Sequence, residues 1–358
     1  LGDVYKRQNH MQGVRMQANI EDVAQLAGVS IATVSRTFKH PDVVAKKTRD
    51  KVLAAANELN FSISRSATVF QAGRTYRIAL LLNDRFASWF NARIYEGLDA
   101  VFNPAGYDIS VYPISTKEDR RTFFENLPIR RNADAVIIPS FDIDPDEASR
   151  LQSANLPLVG INALPESAFT LSVSIDDEQA MRLATRYLIT LGHRNIAFIG
   201  LTHTNQSHLQ FSASRRVAGF RKECKAAGIS PIVLSVAEDE QRVDNALTQL
   251  FTLPTMPTAI CCQQDSLAVP LYVKLQQQGY AVPHDVSVIG FDDNFYARQL
   301  GLTTVRQQPH DMGVIAARRT LALLRGEQVE CRHETLPVQL MFRTSTTSRS
   351  GEAFCRES

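Results

Sequence analysis

Residues 20–36 read IEDVAQLAGVSIATVSR. In "IEDVAQLA" the spacing sets Val23, Ala24 and Ala27 on one helical face, while Gly28 supplies a turn conformation that a side chain would penalise. Ser30 is placed to cap a second helix, "SIATVSRTF". Small Ala24 lets the two helices approach and Val34 packs the second onto the first, the offsets of a helix-turn-helix. A third amphipathic helix is expected from "KKTRDKVLAAANELN", with Val52, Leu53, Ala56 and Leu59 inward. A helical hairpin inside a larger core would give similar offsets. Against it stand the position near the start of the sequence, the basic start of the third helix and the polar stretch that follows.

The start of the second helix then faces outward, as a helix entering a major groove does. Arg36 suits a bidentate contact to guanine O6 and N7, and Ile31 and Ala32 suit thymine methyls. The hydroxyls of Ser30, Thr33 and Ser35, with the helix N-terminus, suit phosphates. Charge agrees with this: the net +2 divides into about +5 over residues 1–75 and about −3 over the remainder, a basic head on a near-neutral body.

The 358 residues, 44% hydrophobic and 21% charged, are enough for two or three domains. No apolar run is long enough to cross a bilayer and no signal-peptide pattern opens the sequence, so a cytoplasmic protein is expected. The five cysteines, Cys224, Cys261, Cys262, Cys331 and Cys355, lack CxxC spacing, which argues against a disulfide framework or a zinc site; most are expected to be buried thiols. Residues 1–16 are expected to be a disordered or non-native leader, 17–61 the helix-turn-helix domain and 62–75, rich in Ser, Thr and Ala, a hinge.

From residue 76 short apolar strands alternate with helical stretches: "RIALLL", "YDISVYPI", "DAVIIPSF", "LPLVGIN", "TLSVSI", "NIAFIGL", "PIVLSVA", "TAICCQQ" and "DVSVIGFDD". Such runs indicate an α/β fold of parallel sheets covered on both faces. Their number favours two similar lobes, with a break near Ser174 to Asp177 and with "TTVRQ" and "TLPVQLMF" crossing back between lobes. Lobe 1 is expected over about 76–174 and 306–333, lobe 2 over about 175–305 and 334–343, and a tail over 344–358. Asp84, Asp142, Asp176, Gln264, Asp292 and Asp293 each follow a strand and so point towards one cleft. No GxGxxG after a strand, GxxxxGK[ST], GxSxG or HExxH gives an enzyme's chemistry a seat, so no enzyme, cofactor or metal is expected.

"IEDVAQLAGVSIATVSR" followed by "VVAKKTRDKVLAAANELNF" resembles the DNA-binding head of the LacI/GalR family of bacterial transcription regulators. "LGHRNIAFIGL", "SRRVAGFRKEC", "QQDSLAVPLYVKLQQQGYAVPHDVSVIGFDD" and "LTTVRQQPHDMG" resemble its periplasmic-binding-protein-like core in order and spacing. The resemblance implies a homodimer that reads a pseudo-palindromic operator, through a hinge helix that inserts an apolar wedge into the minor groove. By position it makes Ile31, Ala32 and Arg36 base readers, Asn19, Ser30, Thr33, Ser35 and Thr48 phosphate contacts, and Phe70 the wedge, where leucine is usual. Ile63 stands where proline is common, and Ala45 where a serine or threonine caps the third helix.

In the core the resemblance implies that Arg216 and Asp292 grip the hydroxyls of a small effector, with Gln264 beside them and Trp89 and Phe90 stacking on an apolar sugar face. Asp142 and Asp176 are further effector candidates. Simpler roles compete: a helix cap for Asp292 and Asp293, a surface charge for Arg216, lobe packing for Trp89. The function implied is a repressor of carbohydrate-use genes, released by a sugar. The alternatives are a regulator using a purine or nucleoside corepressor, or a sugar-binding protein without a regulatory role. With no leucine heptad in the tail, a dimer is expected and no helical tetramer.

Overall fold

The computed structural model describes residues 18–39, 41–61, 74–82, 88–114, 117–130, 132–140, 143, 146–147, 149, 156–202 and 214–349. The chain divides into two compact units, residues 1–74 and 75–358. The leader, most of the hinge (with Ile63 and Phe70), Asp84 and Asp142 lie outside the described residues.

In the first unit, α1 (Ile20–Ala27), α2 (Ile31–Lys39) and α3 (Lys46–Glu58) close on a small core. Asn19 begins α1 through a capping box, its Oδ1 accepting from the Glu21 and Asp22 N–H groups while Asp22 Oδ2 accepts from Asn19 N–H. Gly28 ends the helix at φ 66°, the left-handed conformation expected of it. Val23, Ala24, Val34, Val52, Ala55 and Ala56 form the core. One expectation fails here: Leu53 is 40% exposed and Ala55 takes the inward place. The buried stripe of α3 runs 52, 55, 56, 59, the i, i+3, i+4, i+7 pattern, and position 53 lies about 100° round from 52.

The second unit holds two six-stranded sheets. The first takes β1 (Arg77–Leu82), β2 (Asp108–Pro113), β3 (Ala135–Pro139), β4 (Leu158–Ile161) and β5 (Leu171–Ile175), in the order β2-β1-β3-β4-β5 and parallel throughout. The second repeats that winding with β6 (Ile196–Thr202), β7 (Ile232–Ala237), β8 (Ala259–Cys262), β9 (Ser287–Asp292) and β10 (Thr303–Arg306), in the order β7-β6-β8-β9-β10. Apart from the edge strands β2 and β7, which are mostly half-buried or exposed, these strands are buried almost without interruption because helices cover both faces. The helices are α4 (Trp89–Phe102), α5 (Lys117–Arg130), α6 (Asp177–Thr190), α7 (Ser214–Ala226), α8 (Arg242–Phe251), α9 (Asp265–Gln277), α10 (Phe295–Leu300) and α11 (Pro309–Leu324). Among the described residues no helix is long and apolar enough to cross a membrane. Cys224, Cys261 and Cys262 are buried thiols and Cys331 is exposed.

Three details correct the expected lobe boundaries. "TTVRQ" does not itself cross: it is β10, inside the second sheet, and the chain crosses after it into α11. "TLPVQLMF" splits. β11 (His333–Leu336) extends the first sheet beside β5, and only β12 (Gln339–Met341) reaches the second, antiparallel to β10, so residues 334–336 belong with lobe 1. A single apolar run reads as one strand in sequence, whereas pairing partners divide it. The tail, too, starts later than 344. Ser345 is fully buried. Its hydroxyl donates to Val288 O and accepts from Thr303 N–H, while Thr347 N–H donates to Ser287 Oγ and Arg349 N–H to Leu191 O. Hydroxyl-rich sequence reads as loop, yet here the hydroxyls satisfy backbone groups at the sheet.

Candidate nucleic-acid interface and ligand cleft

On α2 the cap is as expected: Ser30 Oγ accepts from Thr33 N–H at 3.2 Å and pairs with Thr33 Oγ1 at 2.9 Å. Ile31, Ala32 and Arg36 are exposed, and Thr33 and Ser35 are half-buried. Ile31 is 47% exposed, as Leu26 is, and Val43 is 69% exposed, so exposure alone does not single it out. Asn19 is exposed and spends its oxygen on the α1 cap. Thr48 is half-buried in the first turn of α3, whose N-cap, Ala45, makes no side-chain hydrogen bond. Arg49 donates to Pro41 O and so fixes the preceding turn.

In the core, the carboxyl ends of β8, β9 and β10 carry a polar cluster. Arg216 sits on α7 and is 4% exposed, which rules out a surface charge. Its Nε donates to Asp177 Oδ1 at 2.8 Å and its Nη1 to Gln263 O at 2.7 Å; Nη1 also lies 3.9 Å from Asp292 Oδ1. The guanidinium carbon stands 3.5 Å from the centroid of the Phe291 ring, an aromatic floor for the cation. Asp292 accepts from Gln307 Nε2 at 2.7 Å and holds φ 122°, a strained backbone for a non-glycine residue. Neither Asp292 nor Asp293 caps α10. Asn294 does, its Oδ1 accepting from Ala297 N–H, and Asp293 is instead held by Arg298, Arg306 and Arg343.

Burial pushes the Asp292 carboxyl up to about 6 despite the pull of Arg216, and pushes Asp265 up to about 8, with the Asp292 charge adding to it. Asp177 is also raised, burial outweighing its bond to Arg216.

The other expected residues lie less deep. Gln264 is half-buried and donates to Ser266 Oγ. Asp176 is exposed at the N-cap of α6, accepting from Gln179 N–H, and its neighbour Asp177 is the carboxylate that reaches Arg216. Trp89 and Phe90 are half-buried in the first turn of α4, and Phe90 packs on the main core cluster. Sequence reasoning missed Asp177, Gln263, Asp265 and Gln307. For the two aspartates a signal existed, since each opens a helix on its apolar stripe, where a carboxylate needs a buried partner.

The arrangement offers a fixed cation, carboxylate acceptors and amides at the ends of parallel strands, where small polar ligands of open α/β sheets bind.

Two family models match the chain: "bacterial regulatory proteins, lacI family" over residues 19–64 and a periplasmic binding protein-like domain over residues 185–346. The HTH-type transcriptional repressor PurR of Photobacterium profundum is 30% identical over 335 residues, 92% of this chain and 98% of its own. A crystal structure of the Lac repressor dimer bound to operator and an anti-inducer matches with a TM-score of 0.78 at 26% identity, covering 92% of this chain and 99% of that one. A transcriptional regulator CelR–cellobiose complex matches with a TM-score of 0.64 at 27% identity, over the same shares. A head and core that match together, over nearly the full length of these relatives, place the chain in the lacI family of bacterial regulatory proteins.

Proposed function

We propose that this protein is a transcriptional repressor that binds a pseudo-palindromic operator as a homodimer in the cytoplasm and is released by a small neutral sugar bound between its lobes. The observation that carries the effector reading is the buried Arg216 between Asp177 and Asp292 at the strand ends. A guanidinium and a carboxylate side by side donate to and accept from vicinal hydroxyls together. Ile31, Ala32 and Arg36 read bases, and Asn19, Ser30, Thr33, Ser35 and Thr48 hold phosphates; Phe70 is the minor-groove wedge. Gln264, Trp89, Phe90, Asp142 and Asp176 complete the effector set. The similarity to a regulator complexed with cellobiose supports a carbohydrate. The effector biases the relative orientation of the lobes and so the hinge; a coupling of about 1–3 kcal/mol gives a 5- to 150-fold change in operator affinity.

An effector of the purine or nucleoside class is the second reading, because ring and amino N–H groups donate to the same Asp292 carboxylate. One pair of experiments separates them. Selection from random duplex DNA is expected to return a palindrome. A thermal-shift screen with glucose, galactose, ribose, cellobiose, hypoxanthine and guanosine is expected to raise the melting temperature with a sugar, and adding that sugar should weaken binding to the selected duplex. A shift with the purines alone overturns the sugar assignment, and tighter DNA binding with ligand overturns release.

A further inference from the structure

Helices α6 and α7 lie side by side in the second lobe. A Cβ on Gly219 of α7 would stand 2.2 Å from Glu178 O of α6, and ion pairs lace the two helices together: Lys222 to Glu178 at 2.8 Å, Arg182 to Glu223 at 2.9 Å and Arg186 to Glu223 at 2.6 Å. Their charges do not balance. The two helices hold seven arginines and lysines against three acidic residues, although residues 76–358 as a whole are net negative. Arg216 and Asp177 cancel in the interior, so the surplus lies on the surface. There two arginines share the carboxylate of Glu223, and Arg215, Arg221 and Lys225 form no ion pair among the described residues.

On α7 the exposed positions are Ser214, Arg215, Ala218, Arg221, Lys222, Lys225 and Ala226, with no acidic residue among them. At 100° per residue the four cations fall within about 120° of one another, a stripe about 15 Å long. A solvated helix face ordinarily mixes both signs. This one carries two local costs: Arg221 and Lys225 are like charges four residues apart, and Arg215 stands in a first turn that has no acidic residue, against the helix dipole. An anionic partner would relieve both. Leu183 is the one large apolar side chain exposed on either helix, and no exposed aromatic accompanies it. A folded protein or a membrane would need an apolar core or anchor, whereas a phosphate backbone needs cations alone.

We propose that the α6–α7 face is a second, sequence-independent DNA-binding surface, through which the protein holds the backbone of a duplex other than the one its heads occupy. Arg215, Arg221 and Lys225 of α7 contact phosphates directly, and the arginine surplus at Glu223 adds to the field that attracts them. No base is read there, because nothing on the face but cations and small residues meets the duplex. The inference goes beyond the repressor reading, and its test does not need an operator.

A bead-bound duplex carrying the selected operator, or a scrambled duplex where selection returns none, is loaded with the full chain. Capture of a free, labelled, scrambled duplex is then measured between about 50 and 200 mM salt. Wild type is expected to capture it with a log–log salt slope of about −4, and Arg221→Glu with Lys225→Glu to lower capture at least about tenfold and flatten the slope by about 2. The same charge change at exposed positions of another helix, Arg318→Glu with Arg325→Glu at α11, is expected to leave capture within about twofold, which separates the face from net charge. Melting curves check folding, and Arg221→Gln with Lys225→Gln takes over if the reversal does not fold. No capture by wild type, equal capture by the α7 variant, or an equal loss in the α11 variant overturns the proposal. Retention of a labelled polyglutamate through Arg221 and Lys225, without the duplex, assigns the face to an acidic protein and overturns it too. A failed operator selection with capture intact rejects the repressor reading and leaves this surface standing.

Discussion

Arg216 joins two buried carboxylates, so its removal takes from each its buried cation. Arg216→Ala is expected to lose about 3–5 kcal/mol of stability, read from urea unfolding, whereas Asp177→Asn keeps an acceptor and one balanced pair and loses less than half as much. A loss under about 1 kcal/mol for Arg216→Ala would mean that the cluster carries no ionic load. On the head, Arg36→Ala is expected to reduce the preference for the selected operator by about 1–3 kcal/mol while salt-sensitive binding to scrambled duplex persists. An unchanged ratio in competition binding rejects Arg36 as a base reader. The exposed position of Arg36 on α2 was legible in the sequence, and Arg216 was singled out there by family resemblance. Asp177 and Asp265 were missed although helix phase marked them, because a residue after a strand was expected to face the cleft. Residues 177, 180, 181, 184, 185 and 188 are the buried face of α6, and 265, 267, 268, 271, 272 and 275 that of α9.

At the scale of elements, the helix ends of the head differ in how well they are closed. α1 has a capping box and a glycine stop, and α3 begins on Ala45 with no side-chain cap. Ala45→Ser is therefore expected to raise head stability by about 1 kcal/mol, and Gly28→Ala, which forces a methyl group into φ 66°, to lower it by about as much. Thermal unfolding of the full chain, followed in the head's own transition, checks both; a neutral Ala45→Ser would show that the first turn of α3 is satisfied by other means. Cap and stop were readable because they depend on three or four neighbouring residues. The pairing of β11 with one sheet and β12 with the other was not, since it depends on which edges the preceding helix leaves available. The close approach of α4 and α11 was equally hidden: a Cβ on Gly97 would lie 2.0 Å from His310 O, and one on Gly313 2.6 Å from Ile94 O. Nothing local in either helix announces that the other's backbone comes so near.

Over the whole molecule, the buried titratable groups set opposite limits on stability. His193 is buried, with Nδ1 3.0 Å from Thr258 Oγ1 and Nε2 3.1 Å from Thr347 O, and so fastens the segment after β12 to the second sheet. Burial lowers its pKa against the pull of the Thr347 carbonyl, with Arg349 adding to the lowering. The folded state therefore favours neutral imidazole, the unfolded chain binds more protons below its ordinary value of about 6.5, and stability falls as pH drops through that value. Asp292 and Asp265 act in the other direction. Their folded values, about 6 and about 8, lie above the unfolded value, so the folded state binds more protons and stability falls as pH rises from the acid range through those values. From these groups stability is thus expected to fall with rising pH between about 4 and 8, with His193 offsetting part of that fall below about 6.5. His193→Gln should steepen that fall below about pH 6.5, and Asp265→Asn should flatten it between about pH 5 and 8, where the folded state holds a proton on Asp265 that the unfolded chain has lost. Each variant is compared with wild type in slope, not in absolute stability, because either may lose packing at every pH. A His193→Gln profile parallel to wild type below pH 6.5 would show that His193 contributes no offset, and an Asp265→Asn profile parallel to wild type between pH 5 and 8 would place that titration elsewhere.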